Sequence, residues 1–305
     1  TYAPASLPRV GEGLVPLLDP KPGDVAVHLA GILILLALGL GRPATQATSA
    51  LRPSERGSAW LLAALWLAAW TTTFSSRAAV LTVLVAGAGL LVLRPRSGWW
   101  RPAYLAVLVA LAASTAQLSF TAANGREVSV DSVGIAVASL TDRTGTHAYD
   151  VTRAWRLAWW SDIVDYAVLG SYRWTGKGFG PNLADLDGYQ VHSDHGLRSP
   201  HNALMTMLAR AGLPGGALWV VLHASLLLAL LLAARARSRE GRPFWSRLNH
   251  ALALYLLAFH VNASFDVFLE GPQGGIWFWT VVGVALAALR VQTLGGQTME
   301  EPATA

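Results

Sequence analysis

Seven apolar runs divide the chain, and each is long enough, or nearly so, to cross the hydrocarbon core of a membrane. A helix needs roughly 20 apolar residues to cross about 30 Å of lipid. Charged residues make up only 13% of the chain, about half of the ~25% that is typical of soluble domains. The sequence therefore predicts an all-α, multi-pass integral membrane protein with about seven transmembrane helices. The runs cover residues 25–41, 59–74, 78–93, 102–118, 213–234, 248–267 and 274–289.

Arginines predict which side of the membrane each connection occupies. If the seven spans alternate in direction, the three arginine-rich connections lie on one side, which the positive-inside rule identifies as the cytoplasm. The pI of about 9.9 is therefore explained by topology and does not indicate nucleic acid. We expect a four-span bundle at 1–118, an extracytoplasmic loop at 119–200, a three-span bundle at 201–291 and a cytoplasmic tail at 292–305. The arginines of the three connections are Arg42, Arg52 and Arg56; Arg94, Arg96 and Arg101; and Arg235, Arg237, Arg239, Arg242 and Arg247.

Within the long outer loop, residues 150–169 have the pattern of an interfacial helix. Tryptophan is enriched where membrane meets water, because its ring is apolar and its N–H is polar. The arginines of this helix either hold a phosphate group through paired N–H donors or contact lipid headgroups. On a helical wheel, Trp155, Trp159, Asp162 and Tyr166 share one side, while Arg153, Arg156 and Trp160 share another.

Polar groups follow this helix, but none of them matches an established metal or nucleotide motif. The sequence GKGFG at 176–180 lacks the spacing of a phosphate-binding loop and favours a tight turn. Asp185 and Asp187 form only a weak match to the DxD of metal-dependent glycosyl transfer. His192 and His195 match no known zinc spacing, so we predict no metal and no cofactor. Four polar residues near the outer end of the sixth run either line the outer opening of the helical bundle or shape its exit to solvent. They are His260, Asn262, Asp266 and Glu270.

His201 has the strongest pattern of a reactive group. We predict that Ser199 caps a helix, that Pro200 takes its first position and that His201 lies in the first turn. The positive end of a helix disfavours imidazolium and attracts anions, so His201 would be neutral, ready to accept a proton, and close to a phosphate. Gly212 and Pro214 are expected to end this helix before the next span.

Arg77 lies in the short outer connection between the second and third runs. It is either a turn residue whose charged end reaches water or a cation that pairs with an anionic ligand.

Four motifs, in this order, resemble the O-antigen ligase and polymerase superfamily. They are SSR at 75–77, TRAWRLAWW at 152–160, RSPHNALMTMLARAGLPG at 198–215 and FDVFLEGPQGGIWFW at 265–279. The resemblance covers roughly residues 51–289. It implies a glycosyltransferase of the GT-C type, at the outer face of the bacterial inner membrane, that uses neither nucleotide sugar nor metal. The implied partners are an undecaprenyl-diphosphate-linked glycan donor, a lipid or glycan acceptor and membrane lipids.

The resemblance also implies roles for individual residues. His201 would activate the acceptor hydroxyl as a base, and Arg77 and Arg156 would hold the diphosphate of the donor. We also assign substrate binding to Arg153, Asn202, Ser199, Trp160 and Arg198. Because family members usually carry more spans before these motifs, the chain is expected to be a member truncated at its N-terminus.

Three other functions remain as alternatives. A polymerase would use another lipid-linked repeat unit as acceptor, and the sequence does not separate it from a ligase. An anion or solute transporter is disfavoured because we find no internal repeat and the arginines lie at one face. A non-catalytic scaffold would bind envelope glycans through the aromatic outer helix.

Overall fold

The computed structural model describes residues 9–10, 15–16, 21–40, 76–93, 119–121, 127–129 and 147–297. The chain divides into two compact units, Thr1–Gly145 and Thr146–Ala305. The predicted spans 59–74 and 102–118 lie outside the described residues. The remaining five predicted spans all coincide with helices, although the total of seven stays a prediction.

In the first unit, two apolar helices pack against each other. Helix α1 (Pro22–Ala37) begins with a proline at its first position, and helix α2 (Arg77–Leu93) begins directly after Ser76. Small buried residues such as Ala30 and Ala86 allow close approach of the two backbones. Two short antiparallel ladders are also described: β1 (Arg9–Val10) with β2 (Val15–Pro16), and β3 (Ser119–Thr121) with β4 (Glu127–Ser129). Every described element longer than three residues is helical.

The second unit contains all the other helices. Helix α3 (His147–Val164) continues into a π-helical turn (Asp165–Leu169), and the short helix α4 (Leu183–Asp187) follows. Helices α5 (Ala203–Arg239) and α6 (Pro243–Ala263) form a hairpin, and helix α7 (Pro272–Gln297) packs against α6. Among the described helices, α5 and the Gly274–Leu294 part of α7 are long and apolar enough to cross a membrane.

Helices α6 and α7 are joined inside the apolar bundle by a pair of amide side chains. Asn249 donates to Gln292 at 2.9 Å, and Gln292 donates back to Asn249 at 3.1 Å. Both side chains are buried, so each satisfies a polar group that would otherwise be costly in this environment. The pair therefore sets the register of the two helices.

Helix α5 breaks at Gly212, as the sequence predicted. Gly212 has φ 64° and ψ −163°, and the helix resumes with Pro214 in its first turn. A Cβ atom on Gly212 would lie 2.4 Å from the carbonyl oxygen of Arg173, and one on Gly176 would lie 2.2 Å from the carbonyl carbon of Arg210. Two glycines are therefore required for this backbone-to-backbone contact, which confirms that GKGFG needs glycine for backbone reasons.

Candidate functional site

Three of the predicted site residues converge on the loop that follows α6, at Ser264–Asp266. Asn202 Nδ2 donates to the carbonyl oxygen of Ser264 at 3.1 Å, and Arg156 Nη1 donates to that of Phe265 at 2.9 Å. His201 Nδ1 lies 3.4 Å from Asp266 Oδ1. Residues far apart in sequence thus meet at three consecutive positions, which we call the 264–266 loop.

The predicted helix start, with Ser199 as cap and Pro200 as first residue, is wrong by three residues. Helix α5 begins at Ala203, and its cap is Asn202, whose side-chain oxygen accepts from the backbone N–H of Met205 at 3.1 Å. His201 has φ 56°, a left-handed conformation that cannot continue into a right-handed helix. Ser199 is consequently not the cap. His201 lies just outside the helix, still beside its positive end.

The imidazole of His201 is shielded on two sides. Its ring meets that of Trp155 edge-on, with centroids 6.3 Å apart. Its Nδ1 is buried and forms no hydrogen bond with the described residues, because 3.4 Å to Asp266 exceeds the usual hydrogen-bond length of about 3 Å. A carboxylate at this position favours the tautomer with hydrogen on Nδ1, so Nε2 is the nitrogen that can accept a proton.

Helix α3 supplies a second connection to residues 199–206, which we call the His201 segment. Trp160 Nε1 donates to the carbonyl oxygen of Pro200 at 2.8 Å, so this tryptophan holds the backbone directly before His201. Ser199 is buried, and its hydroxyl forms no hydrogen bond with the described residues. Arg198 is exposed, and Arg153 is half-buried one turn of α3 before Arg156.

Arg77, the remaining predicted site residue, is the first residue of α2 in the other unit. Its side chain lies outside the described side chains, so its role stays a prediction.

Of the four polar residues near the end of the sixth run, two side chains contact the His201 segment. Asp266 faces His201, and Glu270 accepts from the hydroxyl of Thr206 at 2.9 Å. His260 lies in the last turn of α6, with its ring centroid 4.6 Å from that of His223. His223 Nδ1 lies 2.7 Å from the carbonyl oxygen of Trp219 in the preceding turn of α5.

Arg210 is a structural cation that sequence reasoning missed. It is only 7% exposed, yet it donates to carbonyl oxygens at both ends of the loop that leads to His201. A buried guanidinium is costly unless its donors are satisfied, so these bonds hold that loop in one conformation. The sequence signal that could have identified it is that it is the one charged residue within the largely apolar stretch LMTMLARAGL. The carbonyl oxygens belong to Gly178, Phe179, Pro181 and Arg198.

The weak DxD match is explained by structure, because Asp187 is a hub for three donors. Trp159 Nε1 donates to it at 2.6 Å, Tyr166 OH donates at 3.1 Å, and Lys177 forms an ion pair with it. Burial, together with the charge of Asp187, raises the pKa of Tyr166. Asp187 therefore ties α4 to α3.

A second histidine–carboxylate pair lies nearby on the exposed loop. His195 Nδ1 and Asp185 Oδ1 are 2.8 Å apart. This bond raises the pKa of His195, while bonds from Gln190 and then His195 lower the pKa of Asp185. His192 is exposed in the same loop.

These features define a helical membrane protein in which a histidine, an arginine and a carboxylate meet at one end of an apolar hairpin. The sequence model of the family described as O-Antigen ligase matches residues 60–220. Because the match covers more than half of the 305 residues, the chain belongs to this family. It is thus an integral membrane protein of the O-antigen ligase and polymerase type of glycosyltransferase, which acts in polysaccharide biosynthesis.

The match includes Arg77, Arg156 and His201 but ends inside α5, so the 264–266 loop lies beyond it. A search of curated proteins finds no match.

Proposed function

We propose that this protein transfers a glycan from undecaprenyl diphosphate to an acceptor hydroxyl at the outer face of the bacterial inner membrane. The observation that carries the proposal is the convergence of Arg156, His201 and Asn202 on the 264–266 loop. It places a potential base, a guanidinium and a carboxylate within one small region. The family match supports the reaction class.

His201 is proposed as the general base. Its Nε2 takes the proton of the acceptor hydroxyl while the resulting oxygen attacks the anomeric carbon of the donor sugar. Asp266, opposite Nδ1, stabilises the imidazolium that forms. The contact of 3.4 Å is longer than a hydrogen bond, and such contacts commonly shorten when substrate binds.

Arginine is proposed to hold the leaving group. As the anomeric carbon–oxygen bond breaks, the electron pair goes to the diphosphate, which leaves as undecaprenyl diphosphate. Arg156, anchored through Phe265, stabilises the negative charge that develops there, with Arg153 and Arg77 as further cations. Attack by one activated hydroxyl from the opposite side inverts the anomeric centre.

The remaining assigned residues divide into two groups. The side chains of Asn202 and Trp160 donate to backbone oxygens, which supports a role in positioning the His201 segment. The hydroxyl of Ser199, which bonds to none of the described residues, and the exposed side chain of Arg198 are proposed to contact substrate.

A transfer assay tests this proposal. Purified full-length protein is incubated with a lipid-diphosphate oligosaccharide and with either a lipid-core acceptor or a second lipid-linked repeat unit. The product mass distinguishes ligase from polymerase, and uptake into acceptor-free proteoliposomes tests the transporter alternative. Arg156→Lys retains the charge but loses paired donation, so we expect transfer to fall about tenfold or more.

The matched control is His192→Ala, which removes an exposed histidine outside the site and should leave transfer unchanged. Full activity of a folded Arg156→Ala variant would contradict the role given to this guanidinium.

A further inference from the structure

The segment 169–179, which connects α3 to α4, exposes large apolar side chains. Leu169 is 70% exposed, Trp174 69% and Phe179 65%, and Tyr172 is also exposed. Neither the transfer chemistry nor the positioning of His201 uses these side chains. Exposed apolar patches of this kind mark sites that contact a membrane or another protein.

The backbone of this segment is attached to the break in α5. Lys177 N–H donates to the carbonyl oxygen of Ala209 at 2.8 Å, and Leu213 N–H donates to that of Arg173 at 2.8 Å. The close contacts at Gly176 and Gly212 leave no room for side chains between the two backbones. The exposed apolar residues are therefore held at the level of Gly212.

The composition of α5 points to that level as a boundary of the hydrocarbon core. Residues 213–234 carry no Asp, Glu, Lys or Arg, and the next residue, Arg235, is exposed. At 1.5 Å per residue these 22 residues span about 33 Å, close to the ~30 Å thickness of the core. With Arg235 at one boundary, Gly212 lies at the other.

We propose that segment 169–179 is a membrane-insertion wedge that enters the leaflet on the His201 side. Trp174 and Tyr172 lie among the headgroups, and Leu169 and Phe179 reach the acyl chains. Lipid is the favoured occupant because the backbone of the segment is bonded to α5 where the apolar span begins, and the exposed side chains of that span, which include Leu218 and Val221, are apolar as well. The wedge would hold the 264–266 loop at headgroup depth, where a lipid diphosphate is presented.

The test measures the membrane depth of spin labels, and because the chain contains no cysteine each label needs only one substitution. Trp174→Cys and Phe179→Cys are labelled in phosphatidylethanolamine–phosphatidylglycerol proteoliposomes. Collision with oxygen, which concentrates in lipid, is compared with collision with a water-soluble nickel chelate. Val221→Cys is the lipid-facing control, and Ser193→Cys, on the exposed loop of the same unit, is the aqueous control.

We expect the label at 179 to resemble the label at 221, with oxygen collisions at least severalfold more frequent relative to nickel than at 193. The label at 174, at headgroup depth, should give a ratio between those at 221 and 193. Values equal to those at 193 would place the segment in water and overturn the proposal. Low collision rates with both reagents would also overturn it, because they would indicate coverage by protein, such as a second copy. If Trp174→Cys does not fold, Leu169→Cys takes its place.

Discussion

Two histidines six residues apart, His195 and His201, each face a carboxylate, yet their surroundings differ sharply. Both have left-handed backbones, with φ 55° and 56°. His195 forms a short contact of 2.8 Å with Asp185 on an exposed loop. His201 forms a looser contact of 3.4 Å with Asp266, partly shielded from solvent and beside Trp155. The shorter contact is thus the more exposed one.

The two pairs also differ in what they connect. The His195 pair closes a loop, because the carbonyl oxygen of His195 also accepts from Asn182. The His201 pair joins the start of α5 to the 264–266 loop, where Arg156 is also anchored. On the proposed function, shielding and neighbouring cations indicate the catalytic histidine better than a short histidine–carboxylate distance does.

Removal of each imidazole is the strongest test of this comparison. We expect His201→Ala to lower the rate of glycan transfer by about 10²- to 10⁴-fold, the usual contribution of general acid–base catalysis. His195→Ala should change that rate by less than about threefold. The measurement is the initial rate of product formation with purified, folded protein. Equal losses in the two variants would remove the distinction between the pairs.

Neutralising the carboxylate of each pair should give a smaller difference in transfer rate, in the same direction. Asp266→Asn leaves the imidazole in place but removes the charge that stabilises its protonated form, so kcat should fall about tenfold to a hundredfold, a part of the base's own contribution. If Asp266 acts only through His201, which it faces, KM for the acceptor should hardly change. The matched variant Asp185→Asn should retain normal kcat. A loss in KM alone would show that Asp266 binds substrate instead.

Much of the helical framework could be predicted from the sequence. Apolar runs identified five helices, and Gly212 marked the break in α5, because spacing and glycine reflect local backbone preferences. The start of α5 was harder to predict. Ser199–Pro200 is a strong local start signal, but Asn202 caps the helix while its amide bonds to Ser264, 62 residues away.

The sequence predicted only part of the site, because contacts between residues far apart in the chain depend on the fold. Motifs indicated His201 and Arg156, but the facing carboxylate depends on how α6 ends. Asp266 and Glu270 were both candidates, and only the fold brings Asp266 to His201 and Glu270 to Thr206. Arg210 and Asp187 are charged residues whose roles are structural. Arg210 donates to the carbonyl oxygens of a neighbouring loop, and Asp187 accepts from neighbouring aromatic side chains.

Backbone strain offers a finer test of whether the two positions are equally constrained. At φ near 55°, alanine costs roughly 1 kcal/mol more than glycine. His201→Gly should therefore be more stable than His201→Ala by about that amount, and His195→Gly should exceed His195→Ala similarly. Thermal unfolding in one detergent measures both differences. If alanine equals glycine at position 201, its left-handed conformation is not retained without the imidazole.

The smallest expected effect is a shift in the titration of His195. Its contact with Asp185 raises the pKa of His195 above 6.5 and lowers the pKa of Asp185 below 3.8. The pair thus contributes fully between about pH 4 and 6.5. Its contribution fades as pH rises through the raised value or falls through the lowered one. In Asp185→Asn the midpoint of His195, followed by NMR of labelled histidine, should move down towards 6.5. An unchanged midpoint would mean that the short contact does not persist in solution, and the contrast with His201 would then rest on shielding alone.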